Sequence, residues 1–299
     1  MSKTGISIVI PTIEEEAVFD LVKQLRHALG SNIEVIIVDK SSEEYYKKLR
    51  SLNAVVIRQK DRGVESAIMQ GLKKANGEIL ATIDADGTHD ISGIVEGVKL
   101  VREGKADLVL GNRMSGLEKG SMSPYLRLGN SGLSGMYSVL YKSDIHDVLT
   151  GLFVTSREAF DSIRDREPYR AGIAFFAIEL ARLGYKVTEV DIRYYKRRYG
   201  RSKLTRFKVA YGVNVASHLI RQLRDYSPLL IFGGVGVVVA IVGLVLGISV
   251  LVNFIQTGTF TETGRALLAF MLVVLGFLFA VAGLILDMLL EIEKRLIKK

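Results

Sequence analysis

The sequence predicts an α/β protein, with a mostly parallel sheet covered by helices on both faces and two membrane-spanning helices after it. Three observations carry this. In the first half, short β-branched runs alternate with segments of helical apolar spacing. Acids, hydroxyls and basic residues collect where those runs end. Towards the C-terminal end, residues 229–255 and 266–286 carry no charge. Each stretch is at least as long as the roughly 20 residues that cross a bilayer as a helix.

The elements follow in order. "ISIVIPT" (6–12) reads as a strand and "EEEAVFDLVKQLRHAL" (14–29) as an amphipathic helix. "IEVIIVD" (33–39) is a second strand, "EEYYKKL" (43–49) a short helix and "AVVIRQ" (54–59) a third strand. "GVESAIMQGLKKANG" (63–77) is a helix that Gly77 is expected to stop. "EILATID" (78–84) is a strand, "ISGIVEGVKLVREG" (91–104) a helix and "ADLVLGNR" (106–113) a strand. Residues 123–147 mix apolar, glycine and basic positions without a clear period. "GIAFFAIELARLG" (172–184) is a helix and "KVTEVDIRYYKRR" (186–198) a strand with a basic end. Residues 203–227 set apolar positions against a Lys/Arg face, as an amphipathic helix lying on a membrane would. The expected organisation is a catalytic domain over 1–202, an interface helix over 203–227 and a two-helix anchor with a short basic tail over 228–299.

Charge and composition narrow the classes. The chain has 299 residues and a formal charge of +8, much of it between Lys186 and Arg224. Basic residues before a span attract anionic lipid heads and mark the cytoplasmic side. The tail "EKRLIKK" is basic too, so both flanks place the domain and the tail on the cytoplasmic face of the cell membrane, as a multi-pass protein. The basic residues form no stripe with interleaved aromatics, so nucleic acid is not an expected partner. With no cysteine, disulfide and thiolate chemistry are excluded. A dinucleotide glycine fingerprint and a P-loop are both missing after the first strand, which argues against hydride transfer and P-loop phosphoryl transfer. The GxxxG at 243–247 suits helix packing within or between subunits, which leaves a homo-oligomer open.

In a parallel sheet, ligands bind beyond the C-terminal strand ends. Here those ends read "PTIEEE", "VDKSS", "QKDRG", "DADGTHD" and "GNR". Asp84 and Asp86, one residue apart at the end of a strand, can aim both carboxylates at one point. Such a pair suits Mg²⁺ or Mn²⁺, which keep waters and bridge to ligand phosphates. The plainer reading is a turn that caps the next helix, with Asp90 as the cap. Glu179, inside an apolar helix, is open between an inward-facing acid and a salt-bridge partner.

In order along the chain, "PTIEEE", "IIVDKSS", "RGVESAIMQGLKKANGEILATIDADGTHD", "DLVLGNRM" and "RRYGRSKL" resemble inverting family-2 glycosyltransferases of the GT-A fold, a Rossmann-like nucleotide-diphospho-sugar transferase domain. The likeness spans roughly residues 5 to 205 and is strongest to the dolichyl-phosphate mannose synthase and polyprenyl-phosphate glycosyltransferase branch. The resemblance implies that Pro11, Thr12, Glu15, Asp39, Ser42, Asp84, Asp86 and Arg198 hold the nucleotide sugar. Ile13, Glu14 and Lys40 depart from the family pattern there. It implies metal contacts at Asp84, Asp86, Thr88 and His89, with Thr88 where the family often has Gln. It implies acceptor-phosphate binding by Arg113, Arg127 and Ser131. "DVLTGL" stands for the family's D-x-T-S-G-F, supplying Asp147, Thr150 and Gly151. The late R-x-x-G-x-S-K is read as Arg198, Gly200, Ser202 and Lys203. Asp86, Arg113, Arg127, Ser131 and Lys203 are the implied catalytic group, whereas Arg197, Arg201, Arg206 and Lys208 are read as meeting lipid heads.

The implied reaction is inverting transfer of a hexose from a nucleotide sugar, GDP-mannose first and UDP-glucose or UDP-N-acetylglucosamine next, to dolichyl or polyprenyl phosphate at the lipid bilayer. The product would be a lipid-phosphate sugar for glycosylation. A processive polysaccharide synthase would carry Q-x-x-R-W, and this chain has no tryptophan. A nucleotidyltransferase would place a basic glycine-rich loop where "PTIEEE" is acidic. A non-catalytic nucleotide-binding scaffold on the membrane is the reading of another class.

Overall fold

The computed structural model describes residues 5–61, 63–165, 173–197, 213, 217, 229–259 and 262–297. The chain divides into two compact units, Met1–Ser217 and His218–Lys299. The predicted interface helix over 203–227 lies outside the described residues, apart from 213 and 217.

The first unit is built on a seven-stranded sheet. Its strands are β1 (Ile6–Thr12), β2 (Glu34–Asp39), β3 (Val55–Arg58), β4 (Ile79–Thr82), β5 (Leu108–Leu117), β6 (Phe153–Ser156) and β7 (Val187–Tyr194), in the order β3-β2-β1-β4-β6-β5-β7. All pairings are parallel except those of β6, which runs antiparallel between β4 and β5. A largely parallel sheet is therefore what forms, with one antiparallel insertion that the sequence reading did not anticipate. Four residues inside an apolar stretch carry too little periodicity to separate a strand from its surroundings.

Alternation along β1 sends its side chains to two layers. Ile6, Ile8 and Ile10 join a core with Val18, Leu21, Val22 and Leu25 of α1 (Ala17–Leu29) and Ile94, Val98 and Val101 of α4 (Ser92–Arg102). Tyr45 and Leu49 of α2 (Glu43–Leu49) complete that layer. Val9, on the other face, meets α3 (Val64–Lys74), where Gly71 lets the helix close in. A Cβ there would sit 2.3 Å from a Val9 methyl.

Two expectations are corrected. Gly77 does not stop α3, which ends at Lys74 with Ala75 already extended. Gly77 is instead where the backbone passes β1, since a Cβ would lie 2.6 Å from the Ser7 nitrogen. Residues 123–147 are not irregular either, because they contain α5 (Pro124–Tyr141), an 18-residue helix with proline in its first turn. Its glycines and serines weaken the apolar period, and Tyr125, Leu128 and Val139 are exposed while Asn130, Ser134 and Tyr137 are buried. The unit closes with α6 (Arg157–Ile163) and α7 (Ala174–Arg182).

The second unit holds a π-helical turn (Leu229–Gly233), then α8 (Gly234–Thr257) and α9 (Thr263–Ile297). Both α8 and α9 are long and apolar enough to cross a membrane, with mean hydropathies of 3.0 and 2.8 in their most apolar windows. Val238, Leu244, Phe270 and Leu278 point outward, which a core helix would not allow and lipid would. The two helices meet through small residues. A Cβ on Gly236 would lie 2.5 Å from the Gly276 carbonyl, and one on Gly243 would lie 2.9 Å from the Ala269 carbonyl. This seam repeats every seven residues through Gly236, Gly243 and Val250. The second glycine of the GxxxG, Gly247, stands off it, with its nearest neighbour at 3.8 Å.

Candidate active site

The site is the row of turns beyond the C-terminal strand ends. Register places Thr12, Asp39 and Arg58 side by side at the ends of β1, β2 and β3. Asp39 is fully buried: Oδ2 accepts from Arg58 Nη1 at 2.8 Å, and Oδ1 accepts from the Ser41 amide at 3.1 Å and from the Ser41 hydroxyl. Arg58 also lies 4.0 Å over the Tyr46 ring and donates to Glu43. Pro11 precedes Thr12 at the end of β1, Glu15 follows in the turn, and Ser42 precedes α2 and donates its amide to Glu14 at 3.3 Å. Glu14 has φ +48°, the left-handed region that Asn tolerates better than Glu.

Asp84, Asp86, Thr88 and His89 leave β4 together. The Thr88 hydroxyl and amide both donate to Asp86 Oδ1, at 2.7 and 3.1 Å. Burial works against the Asp86 charge, but the Thr88 hydroxyl, His89 and Arg197 outweigh it and hold the carboxyl below its usual range. Burial, then the Asp86 charge, raise the Asp84 carboxyl above its usual range. The Asp84 side chain remains about one-third accessible, so solvent limits that rise. Asp84 lies against Gly151, where a Cβ would be 2.3 Å from Oδ2. His89 is buried with its Nδ1 3.3 Å from the Thr88 hydroxyl, and its ring meets Tyr194 edge-on at 5.2 Å. Burial, then Arg113, push it down to about 4, so it is a neutral imidazole near pH 7. Asp90 accepts from the Ser92 amide at 3.0 Å, a turn contact one residue before the N-cap, which is Ile91 and not Asp90.

Arg113, on β5, forms a bidentate pair with buried Asp147: Nε at 2.6 Å and Nη2 at 2.7 Å, with the Arg113 amide donating to the same carboxylate at 3.0 Å. Nη2 also reaches the Leu149 carbonyl at 3.0 Å, and the guanidinium faces the Tyr194 ring at 5.4 Å. Two of its three nitrogens are thus spent inside the protein. Arg127 and Ser131 are four residues apart on α5 and both exposed. Glu179 is buried and also pairs with Arg182, whose Nη2 lies 2.8 Å from Oε2.

One residue given to the lipid surface belongs in the crevice. Arg197 Nη2 lies 2.6 Å from Asp86 Oδ2, and Nη1 lies 3.2 Å from Glu15 Oε1. The late motif also shifts by one residue. R-x-x-G requires an arginine three before Gly200, and that residue is Arg197, not Arg198. Arg198, Lys203, Arg201, Arg206 and Lys208 lie outside the described residues.

Among the described residues, no group of three or more acids and histidines is arranged to hold a metal by itself. The donors present are hard oxygens, chiefly Asp86 with the Asp84 carboxylate behind it. That set fits an ion that keeps waters and takes its remaining ligands from a diphosphate, as Mg²⁺ usually does.

Residues 7–164 match the family described as Glycosyl transferase family 2. Three curated relatives are similar. The low-salt glycan biosynthesis hexosyltransferase Agl6 of Haloferax volcanii is 27% identical over 88% of this chain and 64% of its own length. Glycosyltransferase AglJ of the same organism is 24% identical over 99% of this chain and 97% of its own. The dolichol-phosphate mannosyltransferase of Pyrococcus furiosus is 28% identical over 67% of this chain and 59% of its own. The chain therefore spans less than two thirds of Agl6 and of the Pyrococcus protein. Among solved structures, glucosyl-3-phosphoglycerate synthase from Mycobacterium tuberculosis, in complex with Mn²⁺, UDP and glucosyl-3-phosphoglycerate, superposes with a TM-score of 0.56 at 18% identity. That match covers 73% of this chain and 80% of the other. The likeness shows the fold, the GT-A arrangement that the sequence predicted.

Proposed function

Since this chain belongs to glycosyl transferase family 2, we propose that it transfers a hexose, with inversion, from a nucleotide sugar to a polyprenyl phosphate of the dolichyl type. Its membership makes it a glycosyltransferase with a nucleotide-sugar donor. The observation that carries the finer reading is the convergence of Glu15, Asp84, Asp86 and Arg197 at the ends of β1, β4 and β7, in a chain that also carries two membrane-length apolar helices. The name of the Pyrococcus relative favours dolichyl phosphate and mannose, hence GDP-mannose. The UDP in the mycobacterial complex keeps a uridine donor as the second reading.

The chemistry fits the groups present. A phosphate monoester has its second pKa near 6 and is largely dianionic at pH 7. It needs no strong base to become a nucleophile, and neutral His89, buried behind Thr88, is not placed as one. The difficulty is holding two anions together, which calls for cations. Arg127 and Ser131, on one exposed helix face, suit the acceptor phosphate by charge and hydrogen bonding. Arg113 acts from the second row: pinned by Asp147, it sets a fixed positive field beside Asp84. Asp86 Oδ2 is the oxygen that would hold the ion, with Asp84 behind it. Mg²⁺ or Mn²⁺, when bound there, supplies charge neutralisation for the leaving diphosphate. Displacement at the anomeric carbon turns an α-linked donor into a β-linked product. The basic flanks favour a cytoplasmic face for this domain.

The test incubates the purified chain with Mn²⁺, a polyprenyl phosphate and GDP-mannose, UDP-glucose or UDP-N-acetylglucosamine, and reads glycolipid by mass spectrometry and anomeric configuration by NMR. A β-linked glycolipid from one donor is expected. Glycolipid from none, or an α-linked product, would refute the reading.

A further inference from the structure

We propose that Arg197 is a resident counter-cation that reserves the outward oxygen of Asp86, so that a divalent metal enters this crevice only together with the diphosphate of the nucleotide. The inference rests on reading the crevice as the donor site.

Asp86 has one committed oxygen and one outward oxygen. Oδ1 is held by the Thr88 hydroxyl and amide, at 2.7 and 3.1 Å. Oδ2 is taken by Arg197 Nη2 at 2.6 Å. The same guanidinium reaches Glu15 Oε1 at 3.2 Å through Nη1, so its fork bridges the turn after β1 and the turn after β4. A planar fork does this from two separate nitrogens in a fixed geometry, whereas an ammonium would have to reach both acceptors from one point. The charge is permanent, so ordinary pH changes do not release it.

The backbone around Arg197 is tied down. The Tyr195 amide donates to the Thr88 carbonyl at 2.7 Å, and the Lys196 amide donates to Glu118 at 2.6 Å. Release of Asp86 is therefore a side-chain movement of Arg197, which is 22% exposed, and not a backbone one. A bare ion must displace the guanidinium to reach Asp86 Oδ2, and no group of three or more acids and histidines among the described residues completes a site for it. An ion carried by a diphosphate brings its own ligands, and its phosphate oxygens give the guanidinium a replacement partner. Competition for one oxygen thus becomes coupling between nucleotide and metal, and such coupling is reciprocal.

The experiment measures Mn²⁺ binding to the purified full chain by electron paramagnetic resonance, with no nucleotide, and then with UDP or GDP. Wild type, Arg197→Gln, Arg197→Lys and the double variant Arg197→Gln with Asp86→Asn are compared. Without nucleotide, Arg197→Gln is expected to bind Mn²⁺ about tenfold more tightly than wild type. Arg197→Lys should fall between them, and the double variant should lose the gain. Equal Mn²⁺ affinity in wild type and Arg197→Gln, with wild type still binding Mn²⁺ together with UDP or GDP, overturns the counter-cation alone. Failure of wild type to bind Mn²⁺ with either nucleotide overturns the donor-site reading and this inference with it.

Discussion

The Arg113–Asp147 pair yields the sharpest energetic expectation. Asp147 is fully buried and Arg113 nearly so, and the carboxylate takes three donors from Arg113 at 2.6 to 3.0 Å. Asp147→Asn keeps the shape but turns an amide NH₂ towards a guanidinium that then has no counter-charge. Removing one partner from a buried pair costs about 3–5 kcal/mol, because the remaining charge stays desolvated. At about 2–4 °C per kcal/mol for a unit of this size, the thermal midpoint should fall by about 6–20 °C. The assay is thermal unfolding of the detergent-solubilised chain, followed by a probe in the first unit. Adding Arg113→Met to Asp147→Asn removes the stranded cation and should recover part of the loss. A midpoint within about 2 °C of wild type for Asp147→Asn, or a double variant no more stable than the single, refutes the reasoning.

Four further expectations follow from particular contacts. Gly151→Ala should displace the Asp84 carboxylate by about 1 Å and cost about 10²-fold in kcat/KM with little change in midpoint; unchanged kcat/KM would contradict it. Glu14→Asn should relieve left-handed strain of about 1 kcal/mol and raise the midpoint, and a lower midpoint counts against the strain. His146 Nδ1 donates a 2.7 Å hydrogen bond to Glu189 Oε1, which raises the imidazole pKa above its ordinary value. A raised folded value means the pair stabilises fully below the ordinary imidazole range and is lost as pH rises through the folded pKa, so NMR titration should show the rise and Glu189→Gln should remove most of it, leaving the smaller contributions of Asp144 and Asp191. Gly276→Val should destabilise the α8–α9 pair in detergent while Gly247→Val is tolerated, since a Cβ meets backbone at the first and is 3.8 Å from its nearest neighbour at the second.

Legibility followed the range of the physical signal. β1, β2 and β4 were plain because a strand buried on both faces must be apolar throughout. α1 was plain because Val18, Leu21, Val22 and Leu25 repeat at helical spacing. α5 was missed because its exposed face carries Tyr125, Leu128 and Val139 while its buried face carries Asn130 and Ser134, so hydrophobicity does not mark the inside. Thr88 reads as a metal contact by its place in a motif, and the motif does not show that its hydroxyl also donates to Asp86. Arg197 lies in a basic neighbourhood that suits lipid heads, yet its spacing to Gly200 fits R-x-x-G.

By itself, the sequence determined the α/β class, the acids at the strand ends and the two apolar spans. Each is a local pattern, set by what a strand, a turn or a lipid-facing helix requires of consecutive residues. Only the tertiary structure decided which charge meets which. Arg113 finds Asp147 34 positions on, Arg197 finds Asp86 across 111 positions, and Gly151 backs Asp84 because β6 is laid between β4 and β5. The partner of a buried charge is chosen by strand order and by the cost of leaving that charge alone, and neither is written in any short stretch of chain.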